Sequence, residues 1–146
     1  MMSFQDAVRT CFQKYVVISG RAQRSEYWWF FLFTAVVGYI LGTLDSMFFS
    51  SGPNGAPSVL QGLFSLGTIL PSICAGGRRL HDRDMSAWWM LLLLVPLIGV
   101  LVLLVMFALP GTRGPNRFGP DPLGGDGPAP LDEGFVRSSI PRSGQD

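Results

Sequence analysis

The run AWWMLLLLVPLIGVLVLLVMFAL, from Ala87 to Leu109, holds no charged side chain. Few environments accept such a stretch. At roughly 1.5 Å per residue, a helix of this length crosses a hydrocarbon core about 30 Å thick. The run predicts a membrane span, and Pro96 and Gly99 inside it predict a kink. A second run, Trp28 to Phe49, has one charge, Asp45, near its end. A third, VLQGLFSLGTILPSICA from Val59 to Ala75, is shorter and contains Gln61 and Pro71, so it reads as a third helix packed on the others, with a re-entrant hairpin as the rival.

Charge follows the same division. Only 14% of the residues are charged, and these gather before Tyr27, around Arg78 to Asp84, and after Leu109. An ordinary soluble domain carries about 25%. The expected fold is an all-α membrane protein of about three transmembrane helices, over 28–48, 59–75 and 87–109, in one membrane domain over 1–122. An amphipathic helix over about 4–18 precedes the spans, because Phe4, Val8, Cys11, Phe12 and Tyr15 recur at helical spacing with Asp6, Arg9, Gln13 and Lys14 away from that stripe. Such a helix either packs on the bundle or lies at the bilayer surface. The linker over 50–57 is turn-forming, and 123–146 is Gly- and Pro-rich and expected to be disordered. The stretch before the first span does not read as a cleavable signal, so that span is expected to stay in the mature protein.

Arginines orient the chain. Arg9, Lys14, Arg21 and Arg24 precede the first span, and Arg78, Arg79 and Arg83 lie between the second and third, whereas 50–58 carries none. The positive-inside rule places the N-terminus and the RRLHD stretch in the cytoplasm. Three crossings then put the tail outside, against the pull of Arg113 and Arg117.

The entries GRAQRSEYWW, from Gly20, and GRRLHDRDMSAWW, from Gly77 with Arg78 next, share a pattern: arginines, further charges, a serine, then paired tryptophans. Trp28, Trp29, Trp88 and Trp89 read as interfacial anchors, and Ser25 and Ser86 as helix caps. The charges before them suit either an ion-pair network, with Arg78 and Asp82 at i, i+4 and Glu26 as a further partner, or a grip on anionic headgroups. Catalysis through His81, the single histidine, lacks a placed nucleophile. HDRD supplies too few ligands for zinc, and Asp82 with Asp84 too few oxygens for calcium. No metal, cofactor or nucleic acid is expected, and Cys11 and Cys74 read as free thiols. Gly38 and Gly42 form a GxxxG face continued by Asp45, a weak signal for close helix packing or self-association.

Taken in order, GRAQRSEYWW, RRLHD, SAWW, PLIG and GPNRFGPDP resemble the landmarks of the YhaH-like family of small bacterial inner-membrane proteins, a domain-of-unknown-function family (DUF805). The resemblance covers about Phe4 to Leu123. Its motif positions fall on Gly20, Arg21, Arg24, Glu26, Arg78, Arg79, His81, Asp82, Ser86, Trp88, Asn116, Arg117, Gly119, Pro120 and Asp121. It implies a multi-span protein of the bacterial plasma membrane and no established activity. Two departures stand out: Asp84, where the family more often has a small or neutral residue, and the longer tail. The expected function is a non-enzymatic scaffold or modulator of membrane partners or lipids. The alternatives are a transporter or channel accessory subunit, and an enzyme using His81 on a lipid-linked substrate.

Overall fold

The computed structural model describes residues 1–49 and 58–124. The linker over 50–57 and the tail beyond Gly124, read above as turn-forming and disordered, lie outside the described residues. Among the described residues there are four α-helices: α1 (Phe4–Gln13), α2 (Arg24–Phe49), α3 (Val59–His81) and α4 (Ile98–Ala108). A 3₁₀ segment, Ala87–Leu94, precedes α4. Among the described residues no strand forms, apart from an isolated bridge between Asn116 and Gly119.

α1 starts where the Ser3 hydroxyl accepts the Asp6 amide, with the Asp6 carboxylate in the first turn favouring the positive end of the helix dipole. Its stripe packs on α2: Ala7 and Cys11 are buried, Phe4 stands edge-on to Trp29 at 5.7 Å, and Phe12 edge-on to Phe30 at 5.6 Å. The helix stops at Gln13 rather than near residue 18. Lys14 leaves helical geometry, and the carbonyls of Lys14 and Val17 turn to meet the Arg78 guanidinium.

Among the described residues, α2 and α3 are the two helices long and apolar enough to cross a membrane. They pair antiparallel, and Asp45 joins their far ends. Its buried carboxylate accepts the Leu60 and Gln61 amides at 3.1 and 2.9 Å. Ser58, in the cap position, makes no such bond, so α3 is capped from the neighbouring helix. The second helix is also longer than its apolar part predicts. It continues to His81, so Arg78, Arg79 and His81 stand on its last turn and not in a loop.

The stretch Ala87–Leu109 departs most from expectation. It is not one kinked span but a hairpin. Pro96 has no N–H to continue a helix, and the preceding Val95 is extended, as pre-proline residues prefer. Leu97 then adopts φ 64° and ψ −67° while the Ile98 amide bonds Pro96 O at 2.8 Å, a γ-turn of the rare, strained hand. The arms pack tightly: a Cβ on Gly99 would lie 1.6 Å from Leu92 O. One on Gly76 of α3 would meet Met90 Cε at 3.1 Å and Phe107 Cζ at 3.6 Å, so both arms reach α3 at one level. Each arm is about 16 Å long by helical rise, half of a hydrocarbon core. Leu109 therefore returns to the end of the bundle where Ala87 left it.

Buried apolar groups form two small clusters: Leu80, Leu103, Met106 and Phe107, with Tyr27 4.5 Å from Phe107, and Cys11, Phe30 and Ala75 between α1, α2 and α3. Along the shafts, large apolar side chains face outward, Leu66 being 71% exposed. Lipid tails solvate such surfaces as well as leucine does, so packing and polar contacts must hold the helices together.

Candidate functional site

Three stretches far apart in sequence meet at the end of the bundle to which Leu109 returns: the strap before α2, the last turn of α3, and the segment after α4. Arg21, Glu26, Arg78, Arg79, His81 and Asp82 are all buried there. A buried charge is costly unless paired and hydrogen-bonded. Here the partners come from distant chain segments. Arg78 donates to Glu26 Oε1 at 2.8 Å and to Val17 O at 2.6 Å, leaving its Nε without a partner among the described residues. Asp82 accepts Arg21 Nε at 3.0 Å on one oxygen and Arg79 Nη1 on the other. The i, i+4 pairing of Arg78 with Asp82 does not form, because Asp82 sits in the C-cap position and its carboxylate meets Arg21 and Arg79 instead.

The remaining arginine donors cap main chain. Arg79 donates to Phe107 O at 3.0 Å and to Leu109 O, placing a cation at the negative end of α4. Arg21 reaches Gly114 O at 2.6 Å and Thr112 O. In return, Asp82 O accepts the Thr112 amide at 2.8 Å and its hydroxyl at 3.0 Å. The fit leaves no slack: a Cβ on Gly111 would lie 1.9 Å from Asp82 Oδ2.

The NRFGPD turn closes the outer face. The Asn116 side-chain Nδ2 donates to His81 O at 2.9 Å, and Phe118 stacks on the His81 ring at 3.9 Å and 3°. Arg117 lies over Phe118 at 4.7 Å and pairs with Asp84 at 3.0 Å, on the open surface. Asp121 accepts the Gly114 and Leu123 amides, and these bonds, Leu123's foremost, hold its carboxyl below the usual aspartate range. His81 Nδ1 lies 3.2 Å from Gly20 O. With one ring nitrogen engaged and one face covered, His81 is built into the wall. No group of three or more His, Cys, Asp or Glu side chains suited to a metal forms among the described residues.

Of the residues singled out from sequence, Arg21, Glu26, Arg78, Arg79, His81, Asp82, Asn116, Arg117 and Asp121 converge here. Arg24 lies beside them, exposed and outside the ion pairs. Trp28 is half-buried at the start of α2, and Trp29, Trp88 and Trp89 are exposed near the same end. Gly42 faces Gln61 of α3, whose side chain would lie 2.9 Å from an added Cβ, whereas Gly38 has open space. Sequence reading missed Thr112 and Gly111, whose roles depend on the hairpin that returns them to Asp82.

The chain is similar to two inner-membrane proteins of Escherichia coli strain K12. One is YhaH, 44% identical over 110 residues, which are 75% of this chain and 90% of that protein. The other is YhaI, 46% identical over 110 residues, 75% and 89% of the respective chains. No solved structure matches. The model of a family described as "Protein of unknown function (DUF805)" matches residues 15–120. Those residues contain all of the buried charges that meet here, Arg21, Glu26, Arg78, Arg79, His81 and Asp82, and the chain, an integral membrane protein, belongs to the DUF805 family.

Proposed function

We propose that this protein is a non-enzymatic membrane scaffold, in which a buried charge knot on the cytoplasmic side clamps a two-span helix pair and a half-depth hairpin into one rigid platform for membrane partners. The observation that carries this reading is the way the motif residues are used. Arg21, Arg79 and Asp82 consume one another and the carbonyls of the segment after α4, and Glu26 and Arg78 do the same for the strap. A catalytic constellation keeps reactive atoms open to substrate; this one spends them on main chain. Charge supports the orientation. With the hairpin returning Arg113 and Arg117 to the end that holds Arg21, Arg78 and Arg79, the positive-inside rule no longer pulls two ways.

Extraction from native membranes into polymer nanodiscs, followed by identification of the proteins carried along, tests the proposal. A partner enriched in stoichiometric amount, and retained by His81→Ala, is the expected result. An activity abolished by His81→Ala with no partner enriched would remove it.

A second reading, accessory subunit of a transporter or channel, has one observation in its favour. A groove of about 570 Å³ between α2 and α3 is lined by Thr34, Gly38, Gln61, Ser65, Thr68 and Ser72, with Tyr39, Phe64 and Ile69 also in its wall. Small and hydroxyl-bearing faces of this kind let a further helix approach closely and hydrogen-bond. Single cysteines at Gly38 or Ser65 that form cross-links in membranes support it, and their failure to cross-link at any position along the groove removes it.

A further inference from the structure

Beside the knot lies a cavity of about 220 Å³ lined by Arg24, Asp82, Gly111, Thr112, Arg113 and Asp121, among others. We propose that it binds a phosphate group, with the Arg24 and Arg113 guanidinium groups as its ligands. The site goes beyond the scaffold reading and does not depend on it.

The first argument is charge balance. Both carboxylates in the wall are already engaged: Asp82 by Arg21 and Arg79, Asp121 by the Gly114 and Leu123 amides. The Arg24 and Arg113 side chains take part in no ion pair and no hydrogen bond among the described residues. Counting Arg21 and Arg79, which Asp82 holds, four guanidinium groups stand against two carboxylates around the cavity, and an anion is what it lacks.

Size and place narrow the class. Pockets for drug-sized ligands run from about 300 Å³ upward, so this cavity holds a single phosphate better than a nucleotide or a sugar phosphate. Two arginine forks match phosphate oxygens bidentately. The cavity adjoins the first turn of α2, just before Trp28 and Trp29, where headgroup phosphates are the most abundant anions. A phospholipid headgroup and free phosphate offer the same chemistry, and the experiment separates them.

Full-length protein in neutral detergent is titrated calorimetrically with dioctanoyl phosphatidylglycerol, inorganic phosphate and dioctanoylglycerol, the last having the same chains without phosphate. The wild type should bind phosphatidylglycerol and not dioctanoylglycerol, with affinity falling as salt rises. Arg24→Gln with Arg113→Gln should lose tenfold or more, while Arg9→Gln, on exposed α1 surface, loses less than twofold. Arg24→Lys with Arg113→Lys keeps the charge and should recover much of the loss. Inorganic phosphate binding as tightly as the lipid assigns the site to free phosphate; much weaker binding assigns it to a headgroup. The proposal is overturned if dioctanoylglycerol binds equally, if the double Gln variant binds like wild type, or if the Lys pair binds as weakly as the Gln pair.

Discussion

Truncating Asp82 to Ala should be among the most damaging single changes available to this chain. Its carboxylate receives Arg21 at 3.0 Å and Arg79, and the three side chains are 6%, 1% and 0% exposed. Removing it deletes two charge-assisted bonds, each contributing about 1.5–3 kcal/mol, and leaves two buried guanidinium groups without a counter-charge. Both keep carbonyl acceptors, Gly114 O for Arg21 and Phe107 O for Arg79, which limits the loss. The expected destabilisation is about 3–5 kcal/mol, the range for breaking a buried pair by removing one partner. Asp82→Asn keeps one acceptor oxygen but removes the charge and turns an N–H donor toward the other guanidinium, so it should cost nearly as much. The internal control is Asp84, whose pair with Arg117 is 48% and 60% exposed on its two sides; Asp84→Ala should cost about 0–1 kcal/mol. Unfolding in mixed micelles by titrating in sodium dodecyl sulfate, followed by tryptophan fluorescence, measures all three. If Asp82→Ala unfolds within 1 kcal/mol of Asp84→Ala, the knot is not what holds this end together.

Four further outcomes follow from the geometry. Gly99→Ala would set a Cβ 1.6 Å from Leu92 O and should sharply reduce the folded yield, whereas Gly67→Ala, with nothing within 4 Å, should be neutral or stabilising by about 0.5–1 kcal/mol; equal yields would argue against the closed hairpin. Single cysteines at Asp84 and Arg113 should respond alike to a membrane-impermeant maleimide in intact cells, both protected; label on one alone would mean that 87–109 crosses the bilayer. Burial first, and then Glu26, pushes the Cys11 thiol up to about 12, so at pH 8 it should alkylate on the order of a thousandfold more slowly than after unfolding; comparable rates would place Cys11 at the surface. Because hydrogen bonds depress the Asp121 carboxyl in the folded state, its contribution is complete above the ordinary aspartate pKa near 4 and is lost as pH falls through the lower folded value. Hydrogen-exchange protection of the Gly114 amide should therefore fall only in acid below about pH 4, and a loss at neutral pH would contradict the assignment.

The amphipathic stripe of α1, the two long helices and the membership of the charge cluster were legible in sequence, because each rests on periodicity or on hydropathy summed over many residues. Pairing was not. Rules for i, i+4 contacts see one helix only, while Glu26 meets Arg78 across 52 residues and Arg21 meets Asp82 across 61. Nor was the turn at Leu97. In a run apolar on every side, no stripe marks which face packs, so Pro96 is equally consistent with a bent span and a reversal. The α3 terminus was missed for a related reason: arginine is a good helix former, but a search for uncharged residues stops before it.

The hairpin also bears on how the chain enters the membrane. A segment that dips to half depth and returns needs no hydrophilic residues moved across the bilayer, because both of its flanks stay where they were made. In the proposed orientation, the one stretch that must make the passage is the connection over 50–58, SSGPNGAPS, and it has no charge at all. Carrying charged groups through hydrocarbon is the expensive part of insertion. This chain has a single one to carry, Asp45 at the far end of α2, so a bilayer-resident insertase with no ATP-driven translocation step should be enough to install it.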